Sequence, residues 1–129
     1  MILVDSSVWI AHLQGRDTIA VAKLRVAAAR EPLLLGDLML LEILQGARDD
    51  RHAARIERSL RAYQIVPLLD DELAVQAARN YRRLRDRGIT IRKTADLIIG
   101  TYCIAHGHRL LHDDRDFRPM EQVLGLMAA

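Results

Sequence analysis

The chain has 129 residues, half of them hydrophobic, and its 19 Lys and Arg nearly balance its 17 Asp and Glu, giving a formal net charge of +2. This length suits one domain, residues 1–129, and is too short for two. No apolar stretch approaches the roughly 18 to 20 residues of a membrane span, and the first residues lack the basic region of a signal peptide. We therefore expect a cytoplasmic protein without a membrane segment. The single cysteine, Cys103, fits a reducing compartment.

Hydrophobic periodicity divides the chain into strands that alternate with helices. The predicted elements of the first half are a strand over 2–5, a short helix capped by Ser6 or Ser7 and ending near Gly15, a helix over 17–30, a strand over 33–35, and helices over 37–45 and 51–62. The second half predicts a strand over 65–68, a helix between Asp70 and Gly88, a helix that Thr94 caps and Gly107 ends, a strand over 109–112, and, from Phe117 onward, a short turn and a last strand.

This alternation predicts the α/β class, with three α/β/α layers around a mainly parallel central sheet. A helix that returns the chain to a parallel strand starts at the carboxyl edge of the sheet. Ligands bind at that edge in open parallel sheets. Residues at the ends of the predicted strands and the starts of the helices are therefore the candidates for a functional site.

Acidic residues occupy these positions, where an ordinary core would have apolar ones. They are Asp5 after the first strand, Glu42 in an otherwise apolar helix, Asp96 in a first helical turn, and Asp113, Asp114 and Asp116 after the strand over 109–112. Unpaired carboxylates are almost never fully buried, so a cluster of them implies a compensating cation. Oxygen ligands favour Mg²⁺ or Mn²⁺.

Each acid also has a simpler interpretation. Glu42 could mark a narrow solvated face together with Gln45, and Asp5 could merely cap the helix that follows it. Asp96 could be placed only to complement the helix dipole, which contributes roughly 0.3 to 1 kcal/mol. The five histidines do not form a convincing ligand set, and no glycine-rich phosphate loop, CxxC pair or nucleophile elbow is present.

Four segments in order carry a resemblance to a known family. They are ILVDSS at 2–7, EILQG at 42–46, TAD at 94–96 and LLHDDRDF at 110–117. With these segments the chain resembles the PIN-domain ribonucleases, and within them the VapC-type toxins of bacterial toxin–antitoxin pairs, over essentially its whole length. The resemblance implies a divalent-metal-dependent endoribonuclease that cleaves RNA, forms a homodimer and is neutralised by a small cognate antitoxin.

The resemblance also assigns roles to individual residues. Asp5, Glu42, Asp96 and Asp114 resemble the catalytic and metal-binding acids, Asp116 is a further metal ligand, and Ser6 or Thr94 is a hydroxyl partner. In place of the small polar pair that often precedes the final acids, this chain has His112 and Asp113. The choice between Asp113 and Asp114 therefore stays open, although alignment on the terminal Asp-Phe favours Asp114.

The basic residues suggest a polyanionic substrate. With five acids assigned to a site, 19 basic residues face 12 acidic ones elsewhere, although compositional bias explains the same numbers. A basic run leads directly to Thr94, and we expect Arg82, Arg85 and Arg92 in it to bind RNA phosphates. The alternative is a solvated helix face.

An apolar surface near Trp9 and Leu13 is the expected antitoxin-binding site, unless Trp9 is simply a core residue. Two rival functions remain at this point. A non-catalytic RNA-binding or scaffold domain would keep the fold while its acids only bind an ion. A receiver-type phosphoacceptor would want paired acids close behind the first strand, where this chain has Ser6 and Ser7.

Overall fold

The computed structural model describes residues 1–129. The strands are β1 Ile2–Val4, β2 Leu33–Gly36, β3 Gln64–Val66, β4 Arg109–Leu111 and β5 Met127–Ala128. The helices are α1 Ser6–Leu13, α2 Ile19–Arg30, α3 Asp37–Gln45, α4 Asp50–Leu60, α5 Asp71–Arg85, α6 Thr94–His106 and α7 Arg118–Leu124. A 3₁₀ turn over Arg115–Phe117 leads into α7. No helix combines the length and the apolar character that crossing a bilayer requires.

All five strands are parallel and form one sheet in the order β3-β2-β1-β4-β5. The sheet with its flanking helices confirms the predicted three-layer α/β/α class. The chain moves outward from β1 to β3 and then returns to β4 on the other side of β1. This order creates a switch point between β1 and β4, and the crevice at their carboxyl ends is where such folds bind ligands.

One cluster of 27 buried residues forms the core. The three inner strands are almost entirely buried because helices cover both faces of a parallel sheet. Trp9 belongs to this core: it is 1% exposed, and its ring lies 4.8 Å from that of Tyr63. The alternative that Trp9 is a core residue is therefore confirmed and its role as a docking anchor is excluded, whereas Leu13 on the same helix is 41% exposed.

Two predicted helix caps are displaced by one residue. Asp5, and neither serine, caps α1, because its carboxylate accepts a hydrogen bond from the Ser7 amide. Thr94 is the first residue of α6, while Lys93 occupies the cap position without a side-chain hydrogen bond. The predicted short turn after Phe117 is also wrong, since α7 follows with Pro119 in its first turn.

Candidate metal centre

Pairing of β1 with β4 brings the first and last acidic segments together. Val4 lies opposite Leu111, and the Asp5 amide donates a hydrogen bond to the Leu111 carbonyl at 2.9 Å. Asp5 is 4% exposed, and its Oδ2 accepts from the Ser7 amide at 3.1 Å and from the Ser7 hydroxyl at 2.6 Å. Asp5 therefore caps α1 with one oxygen and leaves Oδ1 free of hydrogen bonds.

Asp96 is the most strongly perturbed acid of the site. It is 6% exposed in the first turn of α6, and its Oδ2 is buried without a hydrogen-bond partner. Burial raises its pKa to about 6, with further increases from the negative charges of Asp5, Asp114 and, less, Glu42. The positive charge of Lys93 opposes the increase. A helix-dipole role alone does not account for an orphaned oxygen buried among three other carboxylates.

Glu42 faces the same group of acids from α3. It is half-buried, and its Oε1 is buried and accepts no hydrogen bond. Burial raises the pKa of Glu42, and the charge of Asp5 adds to the increase, while Ser6 and Lys93 lower it. This environment does not fit the alternative of a solvated helix face.

Three carboxylates converge most closely. Asp96, Asp114 and Asp116 each offer an oxygen, and these atoms all lie within 4.8 Å of one another. Opposite ligands of an octahedral Mg²⁺ lie about 4.2 Å apart, because each Mg–O bond is about 2.1 Å long. Asp113 is exposed and lies outside this group. The geometry therefore brings together the acids at 96, 114 and 116, with Asp5 and Glu42 coupled to them electrostatically.

The donor set fits a hard divalent cation. None of the five acids forms an ion pair with a Lys, Arg or His side chain. Two buried oxygens, Asp96 Oδ2 and Glu42 Oε1, have no hydrogen-bond donor. Carboxylate oxygens are ligands suited to Mg²⁺ and Mn²⁺, and a buried carboxylate without a partner costs several kcal/mol unless a cation compensates it or it takes up a proton.

A polar cleft of about 670 Å³ opens beside Asp114 and Asp116. Three cations line it, Arg92, Lys93 and Arg115, and none of them is paired with an acid. The cleft thus joins a carboxylate cluster to free positive charges.

The other predicted binding residues do not line this cleft. Arg82 and Arg85 are exposed near the end of α5 and do not line the cleft. Ser6 is 8% exposed, and a hydrogen bond from its side chain lowers the pKa of Glu42, whereas Thr94 is exposed. The sequence pattern suggested Ser7 as a cap, whereas in the structure Ser7 donates two hydrogen bonds to Asp5, and the pattern gave no indication of Arg115 in the cleft. An acid two residues before a serine at a helix start is a capping signal that pointed to Ser7.

The fold and the cluster together define a class: a parallel α/β protein with a cluster of carboxylates at its switch point. The family model of the PIN domain matches residues 2–122. The chain belongs to the PIN-domain family.

Relatives of known type match the whole chain. VapC ribonuclease Mb1587 of Mycobacterium bovis and ribonuclease VapC11 of Mycobacterium tuberculosis are each 32% identical to it over 132 residues, which cover 100% of this chain and 98% of theirs. Among solved structures, VapBC2 from Rickettsia felis, bound to a DNA fragment from its promoter, matches with a TM-score of 0.79 at 15% identity, over 100% of this chain and 98% of that one. The predicted resemblance to VapC-type PIN proteins is confirmed.

Proposed function

We propose that this protein is a divalent-metal-dependent endoribonuclease and the toxin of a toxin–antitoxin pair. The observation that carries the proposal is the convergence of Asp96, Asp114 and Asp116 beside Asp5 and Glu42, in a chain 32% identical to two VapC ribonucleases. We propose Mg²⁺ as the ion, with Mn²⁺ as a substitute, because both take carboxylate and water oxygens.

The acids have distinct tasks in this proposal. Asp96, Asp114 and Asp116 hold the cation, and Asp5 contributes the Oδ1 that its capping role leaves free. The bound cation would polarise the scissile phosphate and lower the pKa of an attacking water. Glu42, whose pKa burial raises, is suited to accept a proton from that water at Oε1.

The substrate would approach through its phosphates. Arg92, Lys93 and Arg115 stand beside the acids without partners, so their charges are available to an RNA backbone. Arg82 and Arg85 would extend this basic surface along α5. We keep Ser6 and Thr94 as hydroxyl partners for the substrate or the cation.

The proposed antitoxin site is a groove of about 460 Å³ between α1, α3 and α4, lined by apolar residues and by the polar residues Gln14, Arg48 and His52. Its apolar walls come from Ile10, Leu13, Ile43 and Ile56. The groove is uncovered in the chain alone, and an apolar segment of an antitoxin would bind in it. The solved relative from Rickettsia felis is a VapBC pair, which supports a bound partner.

The remaining assignments stay predictions. One of them is that the protein forms a homodimer. A single domain over residues 1–129 is supported by the one sheet and the one buried cluster. A cytoplasmic location is another, and it fits a single cysteine that is a free thiol.

An RNA-cleavage assay tests the proposed function. Purified protein is incubated with total bacterial RNA, with Mg²⁺ or with EDTA, and new 5′ ends are sequenced. We expect metal-dependent cleavage at defined sites, nearly complete loss of cleavage in Asp96→Asn, and near wild-type activity in Asp113→Asn. The second variant removes the same charge from the same segment outside the cluster. Cleavage that persists in EDTA, or equal loss in both variants, would contradict the proposal.

A further inference from the structure

His112 lies between a helix and the metal centre and contacts both. Its Nε2 is 2.6 Å from Glu121 Oε1 on α7, and its Nδ1 accepts a hydrogen bond from the Asp114 amide at 3.2 Å. The imidazole is 11% exposed and packs 4.9 Å from the ring of Phe117, which is fully buried. Packing and two polar contacts therefore fix the position of this ring.

The two contacts require one arrangement of the ring hydrogen. A carboxylate only accepts hydrogen bonds, so the contact with Glu121 places the hydrogen on Nε2. The Asp114 amide is a donor and needs the lone pair of Nδ1. Glu121 thus selects the tautomer that can hold the Asp114 backbone, in the way that outer partners set the tautomer and orientation of residues around metal sites.

Asp114 is restrained at three atoms. His112 accepts from its amide, the Phe117 amide donates to its carbonyl at 3.2 Å, and the Asp116 amide donates to its Oδ1 at 2.9 Å. No hydrogen bond engages Oδ2. One oxygen of a rigidly held carboxylate therefore remains available beside Asp96 and Asp116.

We propose that His112 and Glu121 are positioning residues for Asp114: Glu121 orients the imidazole, the imidazole holds the Asp114 amide, and the Asp114 carboxylate is thereby aimed at the bound cation. The inference rests on the proposed function in that it takes a divalent cation as the ligand of Asp114. His112 does not itself bind the cation, since both of its nitrogens are occupied. Loss of such partners typically weakens metal binding or activity by about 10 to 100-fold.

Two pairs of substitutions separate the contacts. Asn at 112 carries an acceptor near the place of Nδ1, and Gln at 112 carries a group near the place of Nε2. His112→Asn therefore keeps the hydrogen bond from the Asp114 amide and loses the one to Glu121. His112→Gln keeps the hydrogen bond to Glu121 and loses the one from the Asp114 amide. Glu121→Gln keeps an oxygen acceptor for Nε2, and Glu121→Ala removes it. His106→Asn is the control, because His106 is an exposed histidine at the other end of α6.

The first measurement is Mn²⁺ binding to the metal-free full chain by calorimetry, with a thermal melt for each variant. We expect the Kd for Mn²⁺ to rise about 10-fold or more in Glu121→Ala and His112→Gln. The Kd should stay within about threefold of wild type in Glu121→Gln and His106→Asn. His112→Asn should bind Mn²⁺ more tightly than His112→Gln. Wild-type affinity in Glu121→Ala, or equal affinities in the two His112 variants, would overturn the proposal.

The second measurement needs no metal. Hydrogen exchange of the Asp114 amide should be faster in Glu121→Ala than in Glu121→Gln or wild type, while exchange in the core strands is unchanged. If the His112 variants fail to fold, the pair at 121 decides the proposal. If wild type binds Mn²⁺ and Glu121→Ala binds it with the same affinity, this inference fails and the proposed function stands. A wild-type protein that binds no Mn²⁺ defeats the proposed function as well.

Discussion

The pKa of Asp96 reflects the burial and the negative charge of the whole acidic cluster. Its Oδ2 is buried without a donor, and three other carboxylates contribute to raising its pKa to about 6. In the metal-free protein the ionised form is therefore unfavourable. A bound cation reverses the sign of this effect, because opposite charge favours the ionised carboxylate.

The raised pKa of Asp96 predicts the pH dependence of stability in the metal-free protein. Between the ordinary value of 3.8 and about 6, the folded state holds a proton that the unfolded state releases. Stability from this group is therefore fully present below pH 3.8 and is lost as the pH rises through 6. Asp96→Asn should lack this loss and be more stable than wild type at pH 7 by roughly 1 to 2 kcal/mol, a value discounted for solvent screening.

Urea denaturation in EDTA at pH 4, 5, 6 and 7 measures this difference. If Asp96→Asn were several kcal/mol less stable than wild type at pH 7, Asp96 would have a structural role instead. Addition of Mn²⁺ should stabilise wild type and leave the variant nearly unchanged.

Asp5 has two tasks that substitution can separate. Asn caps helices about as well as Asp, whereas Ala removes the cap at a cost of about 1 kcal/mol. Asp5→Asn should therefore keep the stability of the metal-free protein to within about 0.5 kcal/mol and lose RNA cleavage. Asp5→Ala should lose both. Full activity in Asp5→Asn would mean that Asp5 only caps α1.

At the scale of elements, the sequence predicted the strands and the long helices because their apolar residues are periodic. In α5, for example, Leu73, Ala77 and Leu84 are buried, as the spacing indicated. The carboxyl-edge position of Asp5, Asp96 and Asp114 followed from the alternation of strands and helices, because a helix that connects parallel strands starts at that edge. The caps of α1 and α6 were displaced by one residue, since neighbouring polar residues fit a cap about equally well in a pattern.

The tail could not be predicted in the same way. Helix α7 has seven residues, begins without a side-chain cap and buries only Met120. Its formation depends on packing against α5 and α6, which no local pattern reveals. The contact between His112 and Glu121 could not be predicted either, because it forms only when α7 is folded.

Packing between α6 and α7 supports the site and can be tested. A Cβ added at Gly100 would collide with the Met120 sulfur, which is fully buried. Gly100→Ala should cost about 1 to 3 kcal/mol, and Met120→Ala about 2 to 5 kcal/mol. The double variant should be more stable than the sum of the single changes indicates, by at least about 1 kcal/mol.

Gly46→Ala is the matched control for that cycle. A Cβ there meets no atom closer than 3.6 Å, and the residue has an ordinary helical conformation. It should be neutral or slightly stabilising. Additive effects at positions 100 and 120 would show that the two helices do not pack as described.

At the scale of the whole molecule, charge is divided between an acidic centre and a basic rim. Arg92 and Lys93 line the cleft beside Asp114 without acidic partners. Such an arrangement attracts a polyanion while a cation neutralises the acids.

Salt dependence tests this division of charge. In an inactive Asp96→Asn background, Arg92→Ala and Lys93→Ala should each weaken RNA binding and reduce the slope of log K against log salt by about 0.7 to 1 per lost phosphate contact. Arg61→Ala is the control, because Arg61 is already paired with Glu57 at 3.0 Å on α4. Slopes that fall equally in all three variants would indicate only a general loss of charge.

The central claim is that the acids at the ends of β1 and β4 and the start of α6 form a divalent-metal centre. Anomalous diffraction from crystals grown with Mn²⁺ tests it most directly. We expect a Mn²⁺ peak about 2.1 Å from oxygens of Asp96, Asp114 and Asp116. Crystals whose acidic cluster is ordered but carries no peak at saturating Mn²⁺, or a peak bound only by residues outside the cluster, would contradict it.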